Sequence, residues 1–130
     1  MIKMKRDMDL IRLILLEIEA SKADEIEGFS IKGYNDDDVK HNGELLCQAG
    51  LISKFFEDSL GDLVAGKLTW EGYDYLDKIR DNTIWKKTKD IIIQKGLPPI
   101  IDTIKTVSTA LITAAAEGVA NSIIKNGGQV

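Results

Sequence analysis

Cysteine and histidine are nearly absent from these 130 residues: Cys47 and His41 each stand alone. A single thiol excludes an internal disulfide and a thiolate metal cluster. One imidazole without a second ligand of its kind nearby argues against a transition-metal site. The two do not suit a nucleophilic pair either, because on one expected helix they lie roughly 120° apart in azimuth and nearly two turns apart in height. Long apolar runs are also missing. The longest charge-free stretch, 106–116, contains threonines and is well short of the roughly 18 residues a membrane span needs. The opening MIKMKRDMDL alternates charge with apolar residues and does not read as a signal peptide. No P-loop, dinucleotide fingerprint or nucleophile elbow occurs. These absences point away from an enzyme, a metal, a cofactor and a membrane, and toward a cytoplasmic protein.

What is present suits a globular chain. Apolar content of 44% and charged content of 29% are ordinary, and the length is that of one domain with an appendage. Asp7 or Asp9 is placed to cap a helix running to about Ala20, with Leu10, Ile11, Ile14, Leu15 and Ile18 on one face. Leu13 and Leu16 fall on the other side, the pattern of a central helix covered almost all round. Residues 26–32 read as a short strand with Phe29 and Ile31 on one side. Asn35 or Asp36 then opens a second helix, whose acids Asp36, Asp37 and Asp38 suit the positive end of the helix dipole. Its expected buried stripe is Val39, Leu45, Leu46 and Ala49, and Gly50 is the left-handed stop.

Residues 51–56 and 63–69 read as a hairpin around a turn at 57–61, with Gly66 weakening the returning strand. Glu57 and Asp58 fit a solvated turn. Thr69 is the natural cap of a helix through Tyr73, Leu76 and Ile79. Asn82 is expected to cap the next, with Ile84, Trp85, Ile91 and Ile92 apolar and Gly96 as its end. Trp85 reads as core, Tyr75 as a residue with its hydroxyl at the surface, and the aromatics in general as packing rather than a base-stacking platform. Pro98 and Pro99 suit the first turn of a last helix. At 100° per residue its apolar face gathers Ile100, Ile104, Val107, Leu111, Ala114, Ala115 and Gly118. That face makes either an arm folded back on its own domain or a homodimer contact, for which Ile100, Ile104, Val107, Leu111, Ala115 and Gly118 are the candidates.

The fold expected is therefore mainly α with a small antiparallel β wing: an abbreviated winged helix over residues 1–95, an amphipathic helix over 96–125 and a disordered tail over 126–130. The opening MKRDMDLIRLILLEIE, the central AGLI, LTWEG followed by YLDKIRD, and TIWKKTKD together resemble a domain-of-unknown-function family. Its members are small proteins of temperate phages and mobile elements in Gram-positive bacteria. The resemblance covers about residues 4–92. It implies a winged-helix fold and a phage-like origin, and it brings no activity and no catalytic residues. AGLI and LTWEG across a hairpin are also similar to the winged-helix half of many bacterial transcription regulators. Residues 33–35 leave no room for the further helix such a regulator has before its recognition helix.

Charge separates the uses of that scaffold. Residues 36–77 hold three basic residues, Lys40, Lys54 and Lys67, against ten acidic ones, a net of minus seven. Affinity for a duplex comes largely from lysine and arginine on phosphates, so this surface repels DNA. The second helix offers Asp37, Asp38, Lys40, His41, Glu44 and Gln48 as an acidic face for a protein with a basic surface. Positive charge lies later: residues 78–130 hold eight basic and four acidic residues. Lys78, Arg80, Lys86, Lys87 and Lys89 are the candidate nucleic-acid contacts there, with Lys95 nearby. The expected function is a non-enzymatic phage or mobile-element accessory protein that binds other proteins. A DNA-binding winged-helix regulator is the alternative, favoured by scaffold and disfavoured by charge.

Overall fold

The computed structural model describes the backbone of residues 5–127 and the side chains of residues 5–119. It is mainly helical with a small antiparallel sheet. The elements run α1 (Met8–Ala20), β1 (Ile26–Glu27), α2 (Asp36–Gln48), β2 (Phe55–Glu57), β3 (Leu63–Ala65), α3 (Trp70–Ile79), α4 (Asn82–Lys95) and α5 (Ile101–Gly127). They fall into two compact units, residues 1–77 and 78–130.

In the first unit, Asp7 caps α1, its carboxylate accepting from the N–H groups of Asp9 and Leu10 at 3.0 and 3.1 Å. The helix buries Leu10, Ile11, Ile14, Leu15 and Ile18. Its other side is less covered than the sequence suggests, because Leu16 is half-buried and Leu13 is exposed. The strand expected over 26–32 stops after two residues. Gly28, at φ +66°, turns the chain in a way that β-branched neighbours would resist. Phe29 still donates its N–H to the Leu63 carbonyl at 2.9 Å, and its buried ring meets Phe55 edge-on with centroids 5.7 Å apart.

The sheet has the order β1-β3-β2, both pairings antiparallel, so β3 lies in the middle and all three of its residues are buried. The two hairpin strands are shorter than the sequence suggests. At Gly66 the ladder becomes irregular: its N–H reaches the Lys54 carbonyl at 2.9 Å, and the Ser53 hydroxyl accepts from the Lys67 N–H at 2.9 Å. A Cβ on Gly66 would stand 2.7 Å from Lys54 Cγ. Pairing resumes at a single bridge between Ile52 and Leu68. At the far end, the Asp58 carboxylate accepts from the N–H groups of Leu60 and Asp62, both at 2.9 Å, which closes the turn.

Asn35 caps α2, its side-chain oxygen accepting the Asp38 N–H at 2.8 Å. The buried stripe is Val39, Asn42, Gly43 and Leu46, a regular i, i+3, i+4, i+7 set. Leu45 is half-buried and Ala49 exposed, so the stripe expected from apolar residues alone is corrected. Gly43 belongs in it because the buried Phe55 ring lies where a Cβ would be, at 2.5–2.6 Å. Asn42 belongs in it because its amide is fully used. It accepts the Asp7 N–H at 2.9 Å and donates to the carbonyls of Asp38 and Lys5 at 2.9 and 3.3 Å.

The end of α2 and the start of α3 meet. Gly50, at φ +78°, closes α2 with its N–H on the Cys47 carbonyl, and Leu51 donates to Leu46, both at 3.0 Å. The Thr69 N–H then binds the Leu51 carbonyl at 3.0 Å, while its hydroxyl donates to the Gly50 carbonyl at 2.5 Å and accepts the Gly72 N–H at 3.0 Å. Gly72 lies directly on the Leu51 carbonyl. The segments AGLI and LTWEG are thus two halves of one contact.

Tyr75 is buried in α3, and desolvation raises its phenol well above the ordinary value of 10.0. The unfolded chain ionises this phenol near its ordinary value while the folded chain keeps the proton. The stabilising contribution is therefore complete below about pH 10 and is lost as pH rises above it. Thermal melting of the native chain should fall steeply on the alkaline side, and Tyr75→Phe should flatten that fall above about pH 10. Parallel curves for the two proteins would contradict the assignment.

In the second unit α4 is capped by Asp81, one residue before the expected Asn82; its carboxylate accepts the Ile84 N–H at 2.9 Å. Trp85, Thr88 and Ile92 of α4 and Ile104 and Ser108 of α5 are buried, and the two helices pack against each other. Thr88 and Ser108 satisfy their hydroxyls on the carbonyls of Ile84 and Ile104, at 2.7 and 2.6 Å. Gly96 ends α4, and α5 begins at Ile101, after both prolines. The sequence reading draws its boundary after residue 95, whereas here α4 groups with α5, because a short connection makes them a helical hairpin. Helix α5 continues through Gly127, and the rest of the expected tail, 128–130, lies outside the described residues.

Candidate partner-binding surfaces

The face of α2 opposite its buried stripe brings Asp37, Lys40, His41, Glu44 and Gln48 together. Asp37 and Gln48 are exposed; Lys40, His41 and Glu44 are half-buried. Asp38 lies at the margin of that face, half-buried, with its N–H and carbonyl both used in the capping and Asn42 contacts.

Each of the three basic residues in 36–77 sits against a carboxylate. Lys40 reaches Glu57 at 3.7 Å, Lys67 reaches Asp24 at 2.6 Å, and Lys54 pairs with Glu25. Two of those acids, Asp24 and Glu25, come from the segment between α1 and β1. Lys67 lowers the Asp24 carboxyl through its hydrogen bond and charge, and Asp24 raises the Lys67 ammonium in the same way. These pairs are solvated and worth little to stability, yet they decide what the surface offers. It offers carboxylates.

The boundary between units is also a boundary of charge. Residues 1–77 carry nine basic and seventeen acidic residues, and 78–130 carry eight and four. Among the candidate nucleic-acid contacts, Arg80, Lys86 and Lys87 are exposed, while Lys78 and Lys89 are half-buried. Lys89 lies over the Trp85 ring, 5.6 Å from its centroid. The proposed dimer stripe is divided: Ile104 is buried within the second unit, Ile100, Val107 and Leu111 are half-buried, and Ala115 and Gly118 are exposed.

Sequence reasoning missed one surface. Trp70 is 84% exposed and Tyr73 47% exposed, although both read as packing aromatics, whereas Trp85 is buried as expected. The signal was available in α3: Gly72, Leu76 and Ile79 fix its buried side and place Trp70 opposite. The first unit also has an open groove of about 470 Å³ lined by Leu13, Leu16, Glu17, Ser30, Ile31 and Lys32. Among the described residues no group of three or more His, Cys, Asp or Glu is placed to hold a metal ion, and no helix is long and apolar enough to cross a membrane.

Comparison with known proteins agrees with the resemblance at the level of family. An "Uncharacterized protein" of Haemophilus influenzae (strain ATCC 51907 / DSM 11121 / KW20 / Rd) is 39% identical over 116 residues, covering 85% of this chain and 97% of that one. No solved structure matches. The profile of one family spans residues 5–98, from just before α1 to just past the Gly96 stop of α4, and by that match the chain belongs to the family described as "Hypothetical protein (DUF2513)".

Proposed function

We propose that this chain is a non-enzymatic accessory protein of phage or mobile-element origin, whose first unit is an abbreviated winged helix used to bind a protein with a basic surface. The carrying observation is the ion pairing: each lysine of the acidic region is already engaged by a carboxylate, and the face of α2 leaves Asp37 and Glu44 to the solvent side. The order α1-β1-α2-β2-β3 with strand order β1-β3-β2 supports the winged-helix reading. A turn, in which Tyr34 donates to the Ile31 carbonyl at 3.1 Å, stands where a fuller winged helix has another helix. The setting is cytoplasmic, and a homodimer through the exposed part of α5 is compatible with it.

A DNA-binding regulator is the second reading, favoured by the same scaffold and by exposed Lys86 and Lys87. Against it, the helix that would enter the major groove carries one fixed cation, Lys40, and that lies 3.7 Å from the Glu57 carboxylate.

Light scattering at low salt separates the two. The chain mixed with a random duplex should keep its own mass, and mixed with an arginine-glycine repeat peptide it should form a salt-sensitive complex. Changing Asp37→Asn, Asp38→Asn and Glu44→Gln together should weaken that complex on the order of fivefold. The fold should survive, since acids in a first helical turn contribute only about 0.3–1 kcal/mol each. A salt-sensitive complex with the duplex would move the regulator ahead, and unfolding of the triple variant would contradict the surface assignment.

A further inference from the structure

The sheet is open along β1. In the order β1-β3-β2 that strand has a neighbour on one side only, and the segment after it continues the edge. Phe29 turns its N–H to the Leu63 carbonyl, so strand alternation puts the N–H and C=O of Ser30 on the opposite side. Among the described residues nothing meets them. Ser30 and Lys32 take part in no hydrogen bond there, and Ile31 uses only its carbonyl, which accepts the Tyr34 N–H at 3.1 Å. Unpaired backbone along a sheet edge is a template for another strand.

Ser30, Ile31 and Lys32 also line the open groove, facing Leu13, Leu16 and Glu17 of α1. Its apolar surface comes from exposed Leu13, half-buried Leu16 and buried Ile31. A volume of about 470 Å³ suits a few side chains, which an extended segment delivers on one face at every second residue. Charge narrows the occupant further. Glu17 on the helix side and Lys32 on the strand side are exposed, opposite in sign and without an ion-pair partner among the described residues. A segment carrying the reverse pair is matched at both walls, whereas a uniformly basic one or a nucleic-acid strand meets a like charge at one of them.

We propose that this groove is the docking site for an extended, mixed-charge segment of a partner protein. The segment adds a strand to the free side of 29–32 and sets alternate apolar side chains against Leu13, Leu16 and Ile31. The site goes beyond the acidic face of α2 and uses none of its residues, so the two readings fail separately.

The test is fluorescence anisotropy on the full chain with a fluorescein-labelled octapeptide that alternates valine with lysine and glutamate. N-methylation of every second residue, in one of its two registers, should raise Kd by about tenfold or more, because it removes the donors that pair with an edge and keeps the side chains. Leu13→Glu should weaken binding to a similar degree by charging the apolar wall. Its melting temperature should stay within about 2 °C of the native chain, as for other exposed positions. Ser30→Ala should leave binding unchanged, since the backbone and not the hydroxyl is used. Equal affinity for the unmodified peptide and both methylated forms would overturn the strand addition. Binding indifferent to Leu13→Glu but lost on neutralising Asp37, Asp38 and Glu44 would overturn the site and leave the α2 reading standing. A dimer in light scattering that Leu13→Glu splits would overturn it in favour of a second copy in the groove. No saturable binding of the octapeptide would overturn it too, while the arginine-glycine peptide still decides the reading for α2.

Discussion

Replacing Gly72 by alanine should cost the folded chain about 3 kcal/mol, the upper end of what overpacking a well-filled interior exacts. The new Cβ would stand 3.0 Å from the Leu51 carbonyl carbon and closer still to its oxygen. Neither side can yield. The Leu51 carbonyl holds the Thr69 N–H, the Leu51 N–H is bound to Leu46, and Thr69 is fixed to Gly50 through its hydroxyl. Helix α3 would have to lift off the end of α2, taking its cap with it. A loss of this size lowers the melting temperature on the order of 10 °C in a chain of this length. Gly118→Ala is the matching control: no atom lies within 4 Å of its Cβ position, so that variant should gain up to about 1 kcal/mol from helix propensity. Melting of Gly72→Ala within about 2 °C of the native chain would show that the two motifs do not meet as described.

Asn42 is the second position of large effect. Asn42→Ala removes one acceptor and two donors at a site 1% exposed, leaving the Asp7 N–H and the Lys5 carbonyl without protein partners. The expected loss is about 2–3 kcal/mol. Asn42→Asp should be worse at neutral pH, because a carboxylate oxygen would face the Asp38 and Lys5 carbonyls where an amide now donates. Burial and those carbonyls raise the folded-state pKa of the new carboxyl above its unfolded value. Its stability deficit is thus smallest below the unfolded pKa of about 3.9 and grows as pH rises through the folded one. Urea melts of the two variants near pH 4.5 and pH 7 would read this directly. Equal pH dependence would remove Asn42 from the role of holding residues 5–7 to α2.

Those two residues also show where sequence reasoning succeeds and where it stops. Caps and stops were legible because their chemistry is local: Asn35, Gly50, Thr69 and Gly96 each act within a few residues of themselves. The mainly helical class and the hairpin followed from them. The buried face of α2 is legible only in part: Val39 and Leu46 lie on it as expected, but a stripe sought among apolar residues takes in Leu45 and Ala49 and passes over Asn42 and Gly43. Their partners, Asp7 and Phe55, lie far away in sequence. An asparagine and a glycine in mid-helix, both poor helix formers, were the sign that tertiary contact holds that turn. The strand at 26–32 shrank for a related reason: alternation put Phe29 and Ile31 inside correctly, yet Gly28 bends the backbone out of the ladder. For the candidate surface, the acidic count was readable in full. What the count could not show was that Asp24 and Glu25 fold back onto Lys67 and Lys54, or that Trp70 faces outward.

The contact between Leu51 and Thr69 has a further consequence for how this family can vary. The hairpin, 52–68, leaves the helical body at one point and returns to the same point, so its two ends are closed on each other before the sheet begins. Length added or removed beyond the Asp58 turn does not propagate into the position of α2 or α3. A change in the size or sequence of the tip around Leu60 is therefore expected to leave the helical body in place. The glycine and threonine that close its base cannot be exchanged without rebuilding the fold.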